Sequence, residues 1–191
     1  MLGMAIVIGW AGTVSAQEMD PQAVYRDTKL KSFAAESKAH LWPRGGILML
    51  GSSTMALWAK QPGLTAQEPL IWHGIGGTTY GFLVDNFDRL LLDYQPTRVI
   101  IYSGDNDLGN GGGGEAAARR VSDHARTLAE KLRARVPGVQ IAFIAIKRSI
   151  KRASAEPVQR QANAQLKALA DEADDVDYLD FSALLLGADG Q

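Results

Sequence analysis

Short apolar runs alternate with longer helical patterns along this chain, and this alternation most constrains its fold. Five runs have the length of buried strands and lie at residues 47–50, 70–72, 99–102, 139–146 and 176–181. Helical patterns precede or separate them at 20–41, 82–92, 115–136 and 156–170. Strands that alternate with helices pair in parallel, because each connection then crosses over a face of the sheet. The sequence therefore predicts an α/β fold of three α/β/α layers around a mostly parallel five-stranded sheet, flavodoxin-like in type.

The size and charge of the chain narrow the class of protein. Its 191 residues suffice for one domain with a hydrophobic core and are few for two. The 20 Lys and Arg residues nearly balance the 21 Asp and Glu residues, so we expect no nucleic-acid partner. Cysteine is absent, which excludes disulfides, a thiolate nucleophile and cysteine metal sites. We expect neither a cofactor nor a metal.

The first 16 residues, MLGMAIVIGWAGTVSA, are uncharged and mostly apolar. They match the apolar core of a signal peptide, and the end of the segment fits the rule for cleavage before Gln17. Spanning a bilayer takes about 20 apolar residues, so we predict no stable membrane span. The sequence predicts an exported protein, periplasmic or secreted, with a single domain over residues 17–191.

Polar and glycine-rich segments follow four of the predicted strands. They read GSST from Gly51, HGIGGTT from His73, SGDND from Ser103 and KRSIKR from Lys147. In a parallel α/β sheet the ligand site lies outside the carboxyl ends of the strands. We therefore expect these segments to meet at one edge of the sheet.

The hydroxyl groups of Ser52, Ser53 and Thr54 allow two interpretations. Any of them can cap the helix that follows the first strand, or one of them can act as a nucleophile. A nucleophilic serine also needs donors for the oxyanion that develops on the attacked carbonyl group. The bare amides of the glycine pair at 76–77 and the side-chain NH2 of Asn106 can supply such donors.

Together these segments resemble motif blocks of the GDSL/SGNH hydrolase family, which comprises serine esterases, lipases and carbohydrate deacetylases. In the first block, Ser53 takes the place of the nucleophile, and Ser52 stands where the usual member has Asp. HGIGGTT is similar to the second block, with Gly77 as the oxyanion-hole glycine, and GDND to the third, with Asn106 as the oxyanion-hole asparagine. The resemblance implies that the protein cleaves small-molecule, carbohydrate or lipid esters through a serine acyl-enzyme.

The family's base and orienting acid lie in a last block, Asp-x-x-His, which this sequence lacks. Its histidines are His40, His73 and His124, and Ser, Leu and Val stand three places before them. The resemblance therefore implies a domain truncated before its C-terminal block, with almost no activity as it stands. His73, at the end of the second predicted strand, is the strongest candidate for a substitute base.

Other functions remain open at this stage. The oxyanion donors without a base also suit a non-catalytic binding module of the same fold, holding an acylated sugar or an anion. The GSST segment likewise resembles a phosphate cradle, in which amides and hydroxyls at a helix N-terminus hold an anion.

Charged residues near the expected site are predicted to be structural. Asp105 and Asp107 flank Asn106, where a carboxylate would oppose an oxyanion, so we expect both to point away and accept backbone amides of the turn. The basic residues after the fourth strand are interpreted as a solvated loop rather than an anion site; they are Lys147, Arg148, Lys151 and Arg152.

Overall fold

The computed structural model describes residues 20–40, 45–64 and 66–185, except for the side chains of Ala183 and Leu185. The predicted signal peptide and its cleavage point before Gln17 lie outside the described residues. The described helices are α1 (Pro21–Ala39), α2 (Ser53–Trp58), α3 (Tyr80–Asp85), α4 (Phe87–Leu91), α5 (Asp105–Leu108), α6 (Gly114–Arg135) and α7 (Glu156–Asp171). The strands are β1 (Ile47–Gly51), β2 (Leu70–Gly74), β3 (Arg98–Tyr102), β4 (Gln140–Ile144) and β5 (Val176–Leu179), and 3₁₀ helices lie at Ile150–Ala155 and Ser182–Leu185.

The five strands form one sheet in the order β2-β1-β3-β4-β5, and every pairing is parallel. This confirms the predicted α/β fold and its five-stranded sheet. The strand order reverses between β1 and β3, where sheets of this kind open a crevice at the carboxyl ends of the strands. No described helix has the length and apolar character needed to cross a membrane.

One face of the sheet carries the main hydrophobic core. Alternating strand side chains such as Leu48, Ile101 and Phe143 pack there against α1, α3, α4, α6 and α7. Helices α6 and α7 each present a stripe of buried Ala, Leu and Val residues toward this core, as expected of amphipathic helices on a sheet. The long helices therefore form one complete layer.

The opposite face carries a smaller cluster that contains Met49, Met55, Tyr102 and Ile144. Met55 belongs to α2, so this short helix covers the ends of β1 and β2 from that side. Beside it lies an apolar groove of about 550 Å³, lined among others by Met49, Trp72 and Ile144.

Helix and strand ends depart from the predicted ones where side chains compete for backbone groups. The pattern at 82–92 is two helices, because Asn86 donates its side-chain amide to the Phe82 carbonyl, ending α3, and then begins α4. Strand β4 ends before Ile146, whose amide bonds the Asn163 side chain instead of a neighbouring strand. Helix α2 is the predicted helix after the first strand, although its length was not predicted, and the four-residue α5 was not predicted because so short a segment carries too little periodicity.

Gly74, the last residue of β2, allows α2 to lie directly on the sheet. A Cβ atom at Gly74 would lie 2.2 Å from the backbone nitrogen of Ala56 in α2. Gly74→Ala therefore has to displace α2 from the sheet. We expect a loss of about 2 kcal/mol in the free energy of unfolding, measured by urea denaturation.

Gly112→Ala is the matched control, because no atom lies within 4 Å of a Cβ atom at that position. This variant should change the free energy of unfolding by less than about 0.5 kcal/mol. Equal destabilisation by the two substitutions would contradict the close contact between α2 and β2.

Candidate active site

Three loops leave the carboxyl edge of the sheet at the same level. Gly51 at the end of β1 is in register with Gly74 of β2 and with Tyr102 of β3. Backbone hydrogen bonds then join the loops: Ile75 donates its amide to the Gly51 carbonyl and Ser52 donates to the Tyr102 carbonyl, each over 3.0 Å. The GSST, HGIGGTT and SGDND segments thus meet, as the sequence predicted.

Glycines make this junction compact. A Cβ atom on Gly51 would lie 1.9 Å from the Tyr102 carbonyl oxygen, and one on Gly104 would lie 2.4 Å from the Ile146 side chain. Gly77 has a φ of +73°, in the left-handed region that glycine adopts without steric cost.

Ser53 is the first residue of α2, and it is only partly buried. The predicted alternative, a hydroxyl cap, is not observed: Ser52 occupies the N-cap position without a side-chain cap bond, and its Oγ is buried. Thr54 Oγ1 instead accepts a hydrogen bond from Lys147 Nζ over 3.0 Å. No group in the described part of the chain bonds the Ser53 hydroxyl, so it is available to a ligand.

Three donors at this edge have hydrogens to spare. The Ser53 amide lies in the first turn of α2, where an intrahelical acceptor does not exist. The amide of the exposed Gly77 donates to no group among residues 20–40, 45–64 and 66–185. Asn106 Nδ2 donates one hydrogen to the Thr78 carbonyl over 2.8 Å, which leaves its second N–H for a ligand. The loops that carry Ser53, Gly77 and Asn106 are therefore brought together.

Helix α1 supports the loop that contains Gly77. Arg26 Nη2 donates to the Gly77 carbonyl over 2.8 Å, and the Arg26 guanidinium lies 5.7 Å from the centroid of the Phe82 ring. Thr78 Oγ1 braces the same loop by donating to the Ile75 carbonyl over 2.8 Å. The sequence predicted α1 only as a surface helix, so the role of Arg26 was missed.

The two acids beside Asn106 behave differently. Asp107 accepts the Tyr80 amide with both carboxylate oxygens, each at 3.1 Å, which confirms that it accepts a backbone amide, although one of α3. Burial raises the pKa of Asp107. The prediction for Asp105 is wrong: its Oδ2 accepts the Tyr102 hydroxyl at 2.7 Å and the Lys147 ammonium at 3.0 Å. Side-chain partners, rather than turn amides, hold this carboxylate.

The side chains of Lys147 and Arg152 both lie against Asp105 instead of extending into solvent. The prediction of a solvated loop is therefore wrong for these two residues. Lys147 Nζ donates to Tyr102 Oη over 2.9 Å, besides its bonds to Thr54 and Asp105. Burial, reinforced by the Asp105 carboxylate, raises the pKa of Tyr102, so its hydroxyl stays protonated. We call the group formed by Thr54, Tyr102, Asp105, Lys147 and Arg152 the basic cluster.

Arg152 bonds the loop of the third motif block directly. Its Nη1 donates to the Asp105 carbonyl, and its Nη2 donates to Asn106 Oδ1 over 3.1 Å. Arg148 follows the prediction instead, since it is exposed and pairs with Glu156 at 3.1 Å. A signal was present in the sequence: an acidic segment and a basic segment follow successive strands, and β3 and β4 are neighbours.

His73 is buried in the core and does not act at this edge. Its ring stacks on Phe33 with centroids 4.0 Å apart, and its Nδ1 donates to the Leu90 carbonyl over 2.6 Å. Burial lowers the pKa of His73 to about 4. These contacts argue against His73 as the substitute base.

The other histidines of the chain also make no bond to Ser53. His124 lies on α6 and packs against Gly81, where a Cβ atom would lie 3.1 Å from its ring. His40 is exposed directly after α1. Among the described residues, no group of three or more His, Asp or Glu side chains could hold a metal ion.

An apolar groove of about 410 Å³ lies beside the basic cluster. Thr54, Trp58, Tyr102 and Lys147 belong to its lining. Trp58, which the sequence placed close after the candidate nucleophile, therefore borders a cavity next to the residue that follows Ser53.

Known proteins share this fold. Residues 31–191 match the model of the GDSL-like lipase/acylhydrolase family. A Streptococcus pneumonia protein named for platelet activating factor superposes with a TM-score of 0.75 at 17% identity, covering 89% of this chain and 81% of that one. A GDSL-like lipase from Bacteroides thetaiotaomicron superposes with a TM-score of 0.67 at 17% identity, covering 84% of this chain and 82% of that one. A psychrotrophic esterase from Pseudoalteromonas sp. superposes with a TM-score of 0.55 at 21% identity, covering 73% of this chain and 78% of that one.

No curated protein sequence matches the chain. Because the family model nevertheless spans most of the sequence, the chain belongs to the GDSL-like lipase/acylhydrolase family. This confirms the resemblance read from the motif blocks and supports a hydrolase function.

The burial of His73 predicts a pH dependence of stability. Its folded pKa of about 4 lies below the ordinary value of 6.5, so the unfolded chain takes up this proton first as the pH falls. The stabilisation is complete above about pH 6.5 and is lost toward pH 4, by about 3 kcal/mol in total.

His73→Gln isolates this effect, because glutamine can still donate to the Leu90 carbonyl but does not titrate. Urea denaturation of both proteins between about pH 7 and pH 4 should show the unfolding free energy of the wild type falling by about 3 kcal/mol more than that of H73Q. Parallel pH profiles would show that His73 is not buried as a neutral ring.

Proposed function

We propose that the protein hydrolyses carboxylic esters through an acyl-enzyme on Ser53. The observation that supports this proposal is a set of spare donors on the loops that meet at the edge where the unbonded Ser53 hydroxyl lies: the amides of Ser53 and Gly77 and the second Nδ2 hydrogen of Asn106. Such donors stabilise the negative charge that forms on a carbonyl oxygen when a nucleophile attacks. Family membership supports the same class of reaction.

In the proposed reaction, Ser53 Oγ bonds to the ester carbonyl carbon while a base takes its proton. The tetrahedral intermediate then collapses, its bond to the alcohol oxygen breaks, and the alcohol leaves with the proton from the base. Water next attacks the acyl-enzyme by the same steps, which releases the carboxylic acid and restores Ser53. Gly77 and Asn106 would hold the oxyanion in both halves.

We propose that turnover by this chain is slow, because none of the described residues bonds the Ser53 hydroxyl as a base would. None of the three histidines bonds Ser53, and Lys147 already donates to three acceptors. In serine proteases, oxyanion stabilisation and binding alone still give about 10³ to 10⁴-fold acceleration after triad residues are removed. We expect residual activity of that order.

Family membership and the names of structural neighbours support a proposed class of substrate. One neighbour is named a lipase and another an esterase. We propose that this chain acts on an ester of a small molecule, a carbohydrate or a lipid.

The test supplies the missing base from solution. We expect imidazole to raise the protein-dependent hydrolysis of p-nitrophenyl acetate, after subtraction of the rate with imidazole alone, because it can accept the Ser53 proton. Ser53→Ala should abolish the imidazole-dependent part of the protein-dependent rate, and Asn106→Ala should lower that part by roughly 10²-fold.

Ser52→Ala is the matched control, because the neighbouring Ser52 hydroxyl is buried and bonds nothing among the described residues. It should keep the wild-type rate. Imidazole-dependent activity that survives in S53A, or disappears equally in S52A, would refute Ser53 as the nucleophile.

A second function is favoured by the same donors, because no base bonds Ser53 among the described residues. We propose as the alternative a binding module that holds an acylated sugar or an anion at the edge of the sheet. Calorimetric titration with sodium acetate would then show binding that N106A weakens and S53A preserves. Imidazole-dependent turnover would exclude this alternative.

We also propose that the protein is exported. The support is the uncharged apolar segment at residues 1–16. When the full chain is expressed in a bacterial host, mass spectrometry of the periplasmic and secreted fractions should find a protein that begins at Gln17. A chain lacking residues 2–16 should remain in the cytoplasm, and an exported protein with residues 1–16 intact would contradict cleavage.

A further inference from the structure

The Asn106 carboxamide lies between two partners that each accept only one of its ends. Its Nδ2 donates to the Thr78 carbonyl over 2.8 Å, and its Oδ1 accepts from Arg152 Nη2 over 3.1 Å. A carbonyl oxygen has no hydrogen to donate, and a guanidinium has no lone pair to offer. Rotating the carboxamide by half a turn would set donor against donor and acceptor against acceptor. Only the observed orientation therefore satisfies both partners.

Arg152 is itself fixed by the same loop. Its Nη1 donates to the Asp105 backbone carbonyl, and Nη1 lies 3.9 Å from Asp105 Oδ1. The Arg152 side chain is 30% exposed, so its charge is partly removed from water. The guanidinium thus spans the backbone of one residue and the side chain of the next.

The charge of Arg152 acts in the direction that an oxyanion hole requires. A cation at Oδ1 draws electron density from the amide, which makes its N–H groups stronger donors. Asp105 does not cancel this effect, because its carboxylate also pairs with Lys147 at 3.0 Å. The basic cluster therefore keeps a positive excess behind Asn106.

We propose that Arg152 is a positioning residue that turns the Asn106 NH2 group toward the crevice and strengthens it as a donor to the oxyanion. The catalytic part of this inference rests on the proposed function. The orientation of the carboxamide is independent of it and can be measured separately.

The first experiment measures the orientation. In ¹⁵N-labelled full-length protein, the two Nδ2 hydrogens of Asn106, assigned by their loss in N106A, should have distinct and stable resonances. Arg152→Met should shift them, because the guanidinium no longer holds Oδ1, while Arg148→Met leaves them unchanged. R148M is the matched control, because it removes one positive charge from the same loop but from an arginine paired with Glu156. Unchanged Asn106 resonances in R152M would overturn the inference.

The second experiment measures the catalytic effect with p-nitrophenyl acetate and imidazole. R152M should lower kcat by about tenfold with KM within about twofold, because an oxyanion donor acts on the transition state. Arg152→Lys should recover part of that loss, since an ammonium can still donate to Oδ1, and R148M should retain the wild-type kcat. If R152M does not fold, R152K carries the test: it should shift the Asn106 resonances from their wild-type positions and lower kcat less than N106A does.

The third experiment asks whether Arg152 acts through Asn106. The double variant N106A/R152M should be no slower than N106A, because removing the carboxamide removes the group that Arg152 positions. A further tenfold loss in the double variant would overturn the inference. If S53A keeps its activity, the proposed function fails instead, and the resonances of Asn106 alone decide the role of Arg152.

Discussion

The hydrogen bonds that join three loops at the carboxyl edge are the interactions on which the site depends. Because β1 is central to the order β2-β1-β3, its terminal Gly51 accepts from Ile75 on one side, while Ser52 donates to Tyr102 on the other. These bonds continue the parallel ladder by one residue past the strands. The nucleophile candidate and the oxyanion donors thereby lie on loops with a common origin, set by sheet register rather than by loop length.

The charged side chains around this edge suit the binding of the proposed oxyanion. The carboxylates of Asp105 and Asp107 are both engaged, one with Lys147 and the other with the Tyr80 amide. Neither is left free to oppose a developing oxyanion. Arg152 then adds a positive charge on the far side of Asn106, so the field and the hydrogen-bond geometry favour the same ligand.

The fold and the candidate site differ in how much of them the sequence predicts. Strand and helix periodicity is local, so the parallel sheet was predictable, and residues that directly follow strand ends, such as Ser53, had to share an edge. Contacts between distant segments carry no such signal: Arg26 reaches Gly77 across 51 residues. The burial of His73 was predictable in principle. Side chains alternate between the two faces of a strand, so His73 lies on the same face of β2 as the buried Ile71.

The strand-end glycines and the buried leucines of α6 are sensitive to opposite kinds of mutation. Under α6, Leu128 and Leu132 are fully buried, so substitutions there do damage by removing atoms and leaving holes. Gly51, Gly74 and Gly104 have no side chain to lose, and any replacement adds atoms where a neighbour already lies within 2.4 Å of the new Cβ position. These three strand-end positions are therefore sensitive to added atoms, whereas the buried leucines of α6 are sensitive to lost ones.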